Sequence, residues 1–112
     1  MTAQAHSHTH AAWRHGEASR AAALASIDTH IDNVKACVRY LIAQGVYVQD
    51  VKVFSHGYSR PRITVAASPL LHAIFKDDCA AGQHWDALLG RTVHDYKAVR
   101  FECSVIWSEV KP

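Results

Sequence analysis

The run Tyr96-Lys97-Ala98-Val99-Arg100-Phe101-Glu102-Cys103-Ser104-Val105-Ile106-Trp107 contains two β-type segments separated by charged residues. Its β-branched and aromatic side chains alternate with polar ones at a period of two, which places them on one face of a strand. The same habit appears upstream in Gly45-Val46-Tyr47-Val48-Gln49-Asp50-Val51-Lys52-Val53-Phe54 and in Arg60-Pro61-Arg62-Ile63-Thr64-Val65. Gly, Ser or charged residues end each piece. Between Val48 and Val51 the alternation changes phase across Gln49-Asp50, which predicts a bulge in the first strand. Pro61 fits only the start or edge of a strand, so the second begins at Arg62. The last two strands run from about Thr92 to Val99 and from Cys103 to Trp107.

Working outward, Glu17 to Gln44 is Ala-rich and free of Pro, and Gly45 follows as a stop signal. Leu24, Ile27, Ile31, Val34, Val38 and Leu41 recur at spacings of three and four, and Cys37 widens the stripe. Such a helix covers a sheet, or forms a seam between two copies of the chain. Ser68-Pro69 opens a second, short helix through Leu70, Leu71, Ile74 and Phe75. Residues 80–90 carry no single periodicity, and within them Trp85, Leu88 and Leu89 fit one helical turn packed over a sheet edge. The expected fold is therefore α+β: a four-stranded antiparallel sheet with one long N-terminal amphipathic helix and a short second helix packed on one face. Residues 1–16 are expected to be a His-rich flexible N-terminal tail and 17–112 a single α+β domain.

Composition narrows the function. The chain has 112 residues, 49% apolar and 20% charged, which suits one globular domain. Twelve Lys and Arg against ten Asp and Glu give +2, too little to mark a dedicated nucleic-acid binder. Cys37, Cys79 and Cys103 are odd in number and far apart, which fits small-hydrophobe packing in a reducing cytoplasm. No apolar run is long enough for a signal sequence or a membrane span, so a soluble cytoplasmic protein without a membrane partner is expected. His6, His8, His10 and His15 lack a nearby Cys or carboxylate to complete a metal site, so neither metal nor other cofactor is expected.

His84-Trp85-Asp86, His94-Asp95 and Ser55-His56 bring catalytic residue types together in sequence. Neighbours along a strand point to opposite faces and cannot share a proton, and no phosphate loop or nucleophile elbow is present. The chain reads as a binding protein rather than an enzyme. Its candidate partner-binding residues are Lys52, Tyr58, Arg60, Arg62, Arg91, Lys97 and Arg100, with His94, Tyr96 and Trp107 interspersed, on the sheet face away from the helices. The interleaved Asp77, Asp78, Asp86, Asp95 and Glu102 make that surface mixed in charge, better suited to a protein than to a bare duplex.

The helix end Tyr40-Leu41-Ile42-Ala43-Gln44-Gly45-Val46, the Val-x-x-Val-x-Val strand, Arg60-Pro61-Arg62-Ile63-Thr64-Val65, and Tyr96-x-Ala98 with Cys103-x-Val105-x-Trp107 together resemble small uncharacterised proteins of proteobacterial prophages and other mobile elements. The resemblance covers roughly residues 30 to 108 and departs at Glu102, where a small residue is usual. It implies a fold and a genomic setting, and no catalytic residues. By analogy with short phage proteins that occlude host defence machines, it implies a non-enzymatic inhibitor of a host protein or ribonucleoprotein complex, most sharply an anti-CRISPR protein blocking a type I CRISPR effector. A small nucleic-acid-binding accessory or regulatory domain is the alternative, and either a monomer or a homodimer is compatible with the helix stripe.

Overall fold

A computed structural model describes residues 2–54 and 60–110, with side chains described from Gly16 onward. Helix α1 (Thr2–Ala43) leads into β1 (Val48–Lys52), β2 (Arg62–Val65), helix α2 (Pro69–Ile74), β3 (Ala80–Asp86), β4 (Arg91–Arg100) and β5 (Cys103–Val110). The strands form one sheet in the order β1-β2-β5-β4-β3. The fold is α+β, as the periodicities predict, but the sheet has five strands rather than four and is mixed rather than antiparallel. β2 lies parallel to β5, with Arg62, Ile63 and Thr64 opposite Ser104, Val105 and Ile106; the other three pairings are antiparallel. The parallel pair follows from the chain leaving β2, crossing through α2 and completing the β3–β4 hairpin before β5 returns beside β2.

The extra strand is β3, expected as a helical turn. Asp86 and Gly90 bracket a hairpin loop there. The Asp86 carboxylate accepts the N–H groups of Leu88 and Leu89 at 2.9 and 3.0 Å, its carbonyl accepts that of Gly90 at 2.8 Å, and Gly90 takes a φ of +64°. This Asx-type closure holds Trp85, Leu88 and Leu89 in a hairpin instead of a helix.

α1 ends where Gly45 predicts. The Gly45 and Val46 N–H groups donate to the Ile42 and Leu41 carbonyls, both at 2.9 Å, and Gly45 has a φ of +87°. That is a Schellman closure, sealed by Val46 packing beside Leu41 in the core. The helix starts at Thr2 rather than Glu17, since its Ala-rich first turns contain no Pro. Ser68 caps α2, its hydroxyl accepting the Leu70 N–H at 3.2 Å. In β1 the register shifts between Val48 and Asp50, at the predicted bulge.

Cys37 and Leu41 of α1, Leu71 of α2 and Phe75 at its C-cap pack onto Ile63, Val65, Ala98, Cys103, Val105 and Trp107. Both helices thus cover the same sheet face. Upstream, the stripe is uncovered: Leu24 is 59% exposed, and Ile27 and Ile31 are each 36% exposed. The helix runs past the sheet, which gives a radius of gyration of 20.9 Å, against about 13 Å for a compact chain of this length.

Candidate partner-binding face

Strand alternation sorts the predicted site residues onto two faces. Cys103, Val105 and Trp107 face the helices, and their β4 partners Arg100, Ala98 and Tyr96 share that side. Ser104, Ile106 and Ser108 face the other way, together with Arg62 and Thr64 on β2 and Val99, Lys97 and Asp95 on β4. No helix among the described residues covers this second face.

Lys52 sits opposite Arg62, which sits opposite Ser104. In the adjacent row Thr64, Ile106, Lys97 and Ala80 follow one another across four strands. Arg62 and Lys97 both line a depression of about 440 Å³ floored by Ile106 and bounded by Gly82, Asp95 and Ser108. Arg91 shares the face by alternation but stands at the far end, opposite Asp86. The structure therefore groups Lys52, Arg62 and Lys97.

The remaining candidates are elsewhere. Arg100 belongs to the helix side: its guanidinium lies 4.9 Å from the centre of the Phe75 ring and donates to Asp78 and to the Val99 carbonyl, both at 2.9 Å. Arg60 precedes β2 and pairs with Glu102 at 3.7 Å. Tyr58 and its loop, 55–59, lie outside the described residues, as do the side chains of the N-terminal histidines. Tyr96 and Trp107 stack at 5.4 Å beneath α2, where His72 meets Tyr96 edge-on at 4.9 Å and Phe75 stacks on Trp107 at 5.8 Å. Trp107 is buried and Tyr96 half-buried on the helix side, so neither is presented on the open face.

One polar set on the open face escaped the sequence reading. His84 Nδ1 lies 2.6 Å from one Asp95 oxygen, and the Ser108 hydroxyl donates to the other at 2.6 Å. The hydrogen bond from Ser108 holds the Asp95 carboxyl below its ordinary value, and the bond and charge of His84 add to the effect against a smaller desolvation penalty. The Ser108 hydroxyl and the His84 ring thus meet on the two oxygens of one carboxylate, which ties together side chains of β3, β4 and β5. In the sequence His84 stands nearest Asp86 and Asp95 nearest His94, the neighbour pairs that strand alternation excludes. The pairing becomes legible only once the Asp86…Gly90 hairpin sets His84 opposite Val93, one diagonal step from Asp95.

Two cysteines complete the chemical inventory. Burial pushes the Cys37 thiol up to about 12, with the adjacent Cys103 sulfur adding to the shift, and burial also raises Cys103. Both behave as core hydrophobes, as their positions predict. Among the described residues no cluster of His, Cys, Asp or Glu could hold a metal ion, and no helix is long and apolar enough to cross a membrane. No family model matches the chain, and no curated protein or solved structure matches it.

Proposed function

We propose that the chain is a non-enzymatic binding protein of a phage or other mobile element that docks on, and inhibits, a host defence complex. Its sharpest form is an anti-CRISPR protein blocking a type I CRISPR effector. The observation that supports the binding half is the placing of Arg62 and Lys97 around an apolar floor on the uncovered sheet face, with Lys52 opposite Arg62 on the neighbouring strand. Cations with apolar carbon at their centre suit an acidic protein surface, where guanidinium forks take carboxylates and Ile106 is dried by contact. The choice of a defence complex as partner rests on the mobile-element resemblance alone.

The cations also suit phosphates, which keeps a nucleic-acid-binding accessory role as the second reading; the packing of Trp107 and Tyr96 beneath α2, away from the open face, counts against it. One experiment separates the two. The protein is immobilised and used to capture partners from nuclease-treated and untreated lysates of a bacterium carrying a type I CRISPR system, beside the double variant Arg62→Glu/Lys97→Glu. Effector subunits retained after nuclease treatment and lost with the double variant are the expected result. Capture only while nucleic acid is intact, with affinity falling steeply as salt rises, supports the second reading instead. Capture of the effector undiminished by charge reversal removes the open face from the interface.

A further inference from the structure

The two edges of the sheet are built differently. β1, at one edge, has a bulge at Gln49, carries Lys52 and touches α1, all features that discourage pairing with another strand. β3, at the other edge, holds seven residues in unbroken register with β4, from Ala80 opposite Lys97 to Asp86 opposite Arg91. It contains no Pro, Lys or bulge, and Ala80 to Trp85 are all exposed or half-exposed. Alternate residues of such a strand turn their N–H and C=O groups outward, away from β4.

Gly82 sits in the middle of this edge. A Cβ built there would meet nothing within 4 Å, and its φ is not in the left-handed region. Neither turn geometry nor packing within the chain calls for glycine. A glycine inside a strand weakens it, and one without a local cause marks close approach by something outside the fold.

We propose that β3 is the interface for a second copy of this chain, the two strands pairing antiparallel about Gln83 into one continuous sheet. Gln83 is the centre of Ala80–Asp86, so this axis alone uses every residue of the strand. Trp85 then lies opposite Ala81 of the second copy, His84 opposite Gly82, and Asp86 opposite Ala80. Each large side chain meets a small one, on both faces and on both sides of the axis, which is the self-complementarity a two-fold interface requires. Trp85, 65% exposed in the single chain, gains a neighbour. Both copies keep their helices on the same side, and α1, which packs near β1 and β5, stays clear of the new ladder.

Gln83 faces its own counterpart across the axis, which gives a direct test. Sedimentation velocity of the full chain over a range of concentrations should show a monomer–dimer equilibrium. Gln83→Lys and Gln83→Glu each place like charges opposite one another, and each should raise the dimer dissociation constant about two- to fivefold. An equimolar mixture of the two should restore association, as a heterodimer. Unchanged thermal melting of each variant at low concentration establishes that the fold is intact. A wild-type chain that stays monomeric at the highest concentration overturns the proposal. So does a dimer indifferent to both substitutions, a mixture that fails to reassociate, or a dimer dissolved by Ile31→Asp instead.

Discussion

Cys37 and Leu41 lie on the same apolar stripe of α1 as Leu24, Ile27 and Ile31, yet the first two are fully buried and the last three are not. Residue type does not separate the two halves, since Val34, Val38 and Leu41 continue the branched aliphatics Leu24, Ile27 and Ile31 at the same spacing of three and four. Length separates them. A helix of 42 residues is about 63 Å long. A five-stranded sheet is about 24 Å across and a ten-residue strand about 33 Å long. Only the last turns of the helix find β-sheet beneath them, and there Tyr40 also meets Phe101 of the β4–β5 turn at 5.7 Å. Periodicity thus reports which way a helix faces, whereas coverage depends on the size of what it faces.

Thiol chemistry should show the largest contrast. A cysteine held at about 12 instead of its ordinary 9.0 is ionised about a thousandfold less at neutral pH, and the thiolate is the reactive form. Peptide mapping after brief treatment with iodoacetamide should find Cys37 unmodified, while a cysteine introduced by Ile31→Cys, two turns earlier on the same stripe, reacts at the rate of a small thiol. Both should label alike in denaturant. Native labelling of Cys37 at a comparable rate would erase the distinction between the halves.

Leu41→Ala comes next in size. Leu41 is fully enclosed by Val46 and the sheet core, so truncation removes buried carbon and leaves a cavity, at a cost of about 2–5 kcal/mol. Denaturant unfolding followed by circular dichroism should show the midpoint falling by that amount; a loss below about 1 kcal/mol would mean that the helix end is loosely seated.

The same contrast explains what the sequence made legible. The Schellman stop at Gly45, the Ser68 cap, the bulge near Asp50 and the alternation of Cys103, Val105 and Trp107 are local, and each is written in residues within a few positions of where it acts. β3 was missed because Ala80-Ala81-Gly82-Gln83 has little strand propensity; its place depends on ladder bonds to β4 and on the Asp86 loop closure. Of the candidate site, the strand register sets Lys52, Arg62 and Lys97 on the uncovered face. Arg100 is not among them, because the β4–β5 turn takes only two residues, Phe101 and Glu102, both at positive φ, and so sets Arg100 opposite Cys103 on the helix side. Asn-Gly would have announced such a turn; Phe-Glu does not. The parallel alignment of β2 with β5 is a property of the whole topology and has no local mark.

Ile31→Asp should have the smallest effect, and it bears most directly on the comparison. At a true core position an unpaired carboxylate either stays buried at a cost of several kcal/mol or unfolds the domain. At 36% exposure on a helix that has left the sheet, the carboxylate reaches water, and its cost reduces to the helix propensity of Asp relative to Ile and the loss of some aliphatic contact. Asp28 lies one turn back and Lys35 one turn ahead, so the new carboxylate meets one repulsive and one attractive neighbour, each worth a few tenths of a kcal/mol and opposite in sign. The stability lost should stay within the range of ordinary surface substitutions, about 0.5 kcal/mol, as read from the thermal midpoint. Loss of the folded state would instead mean that the upstream stripe is enclosed by a second helix, and that both halves of α1 are core.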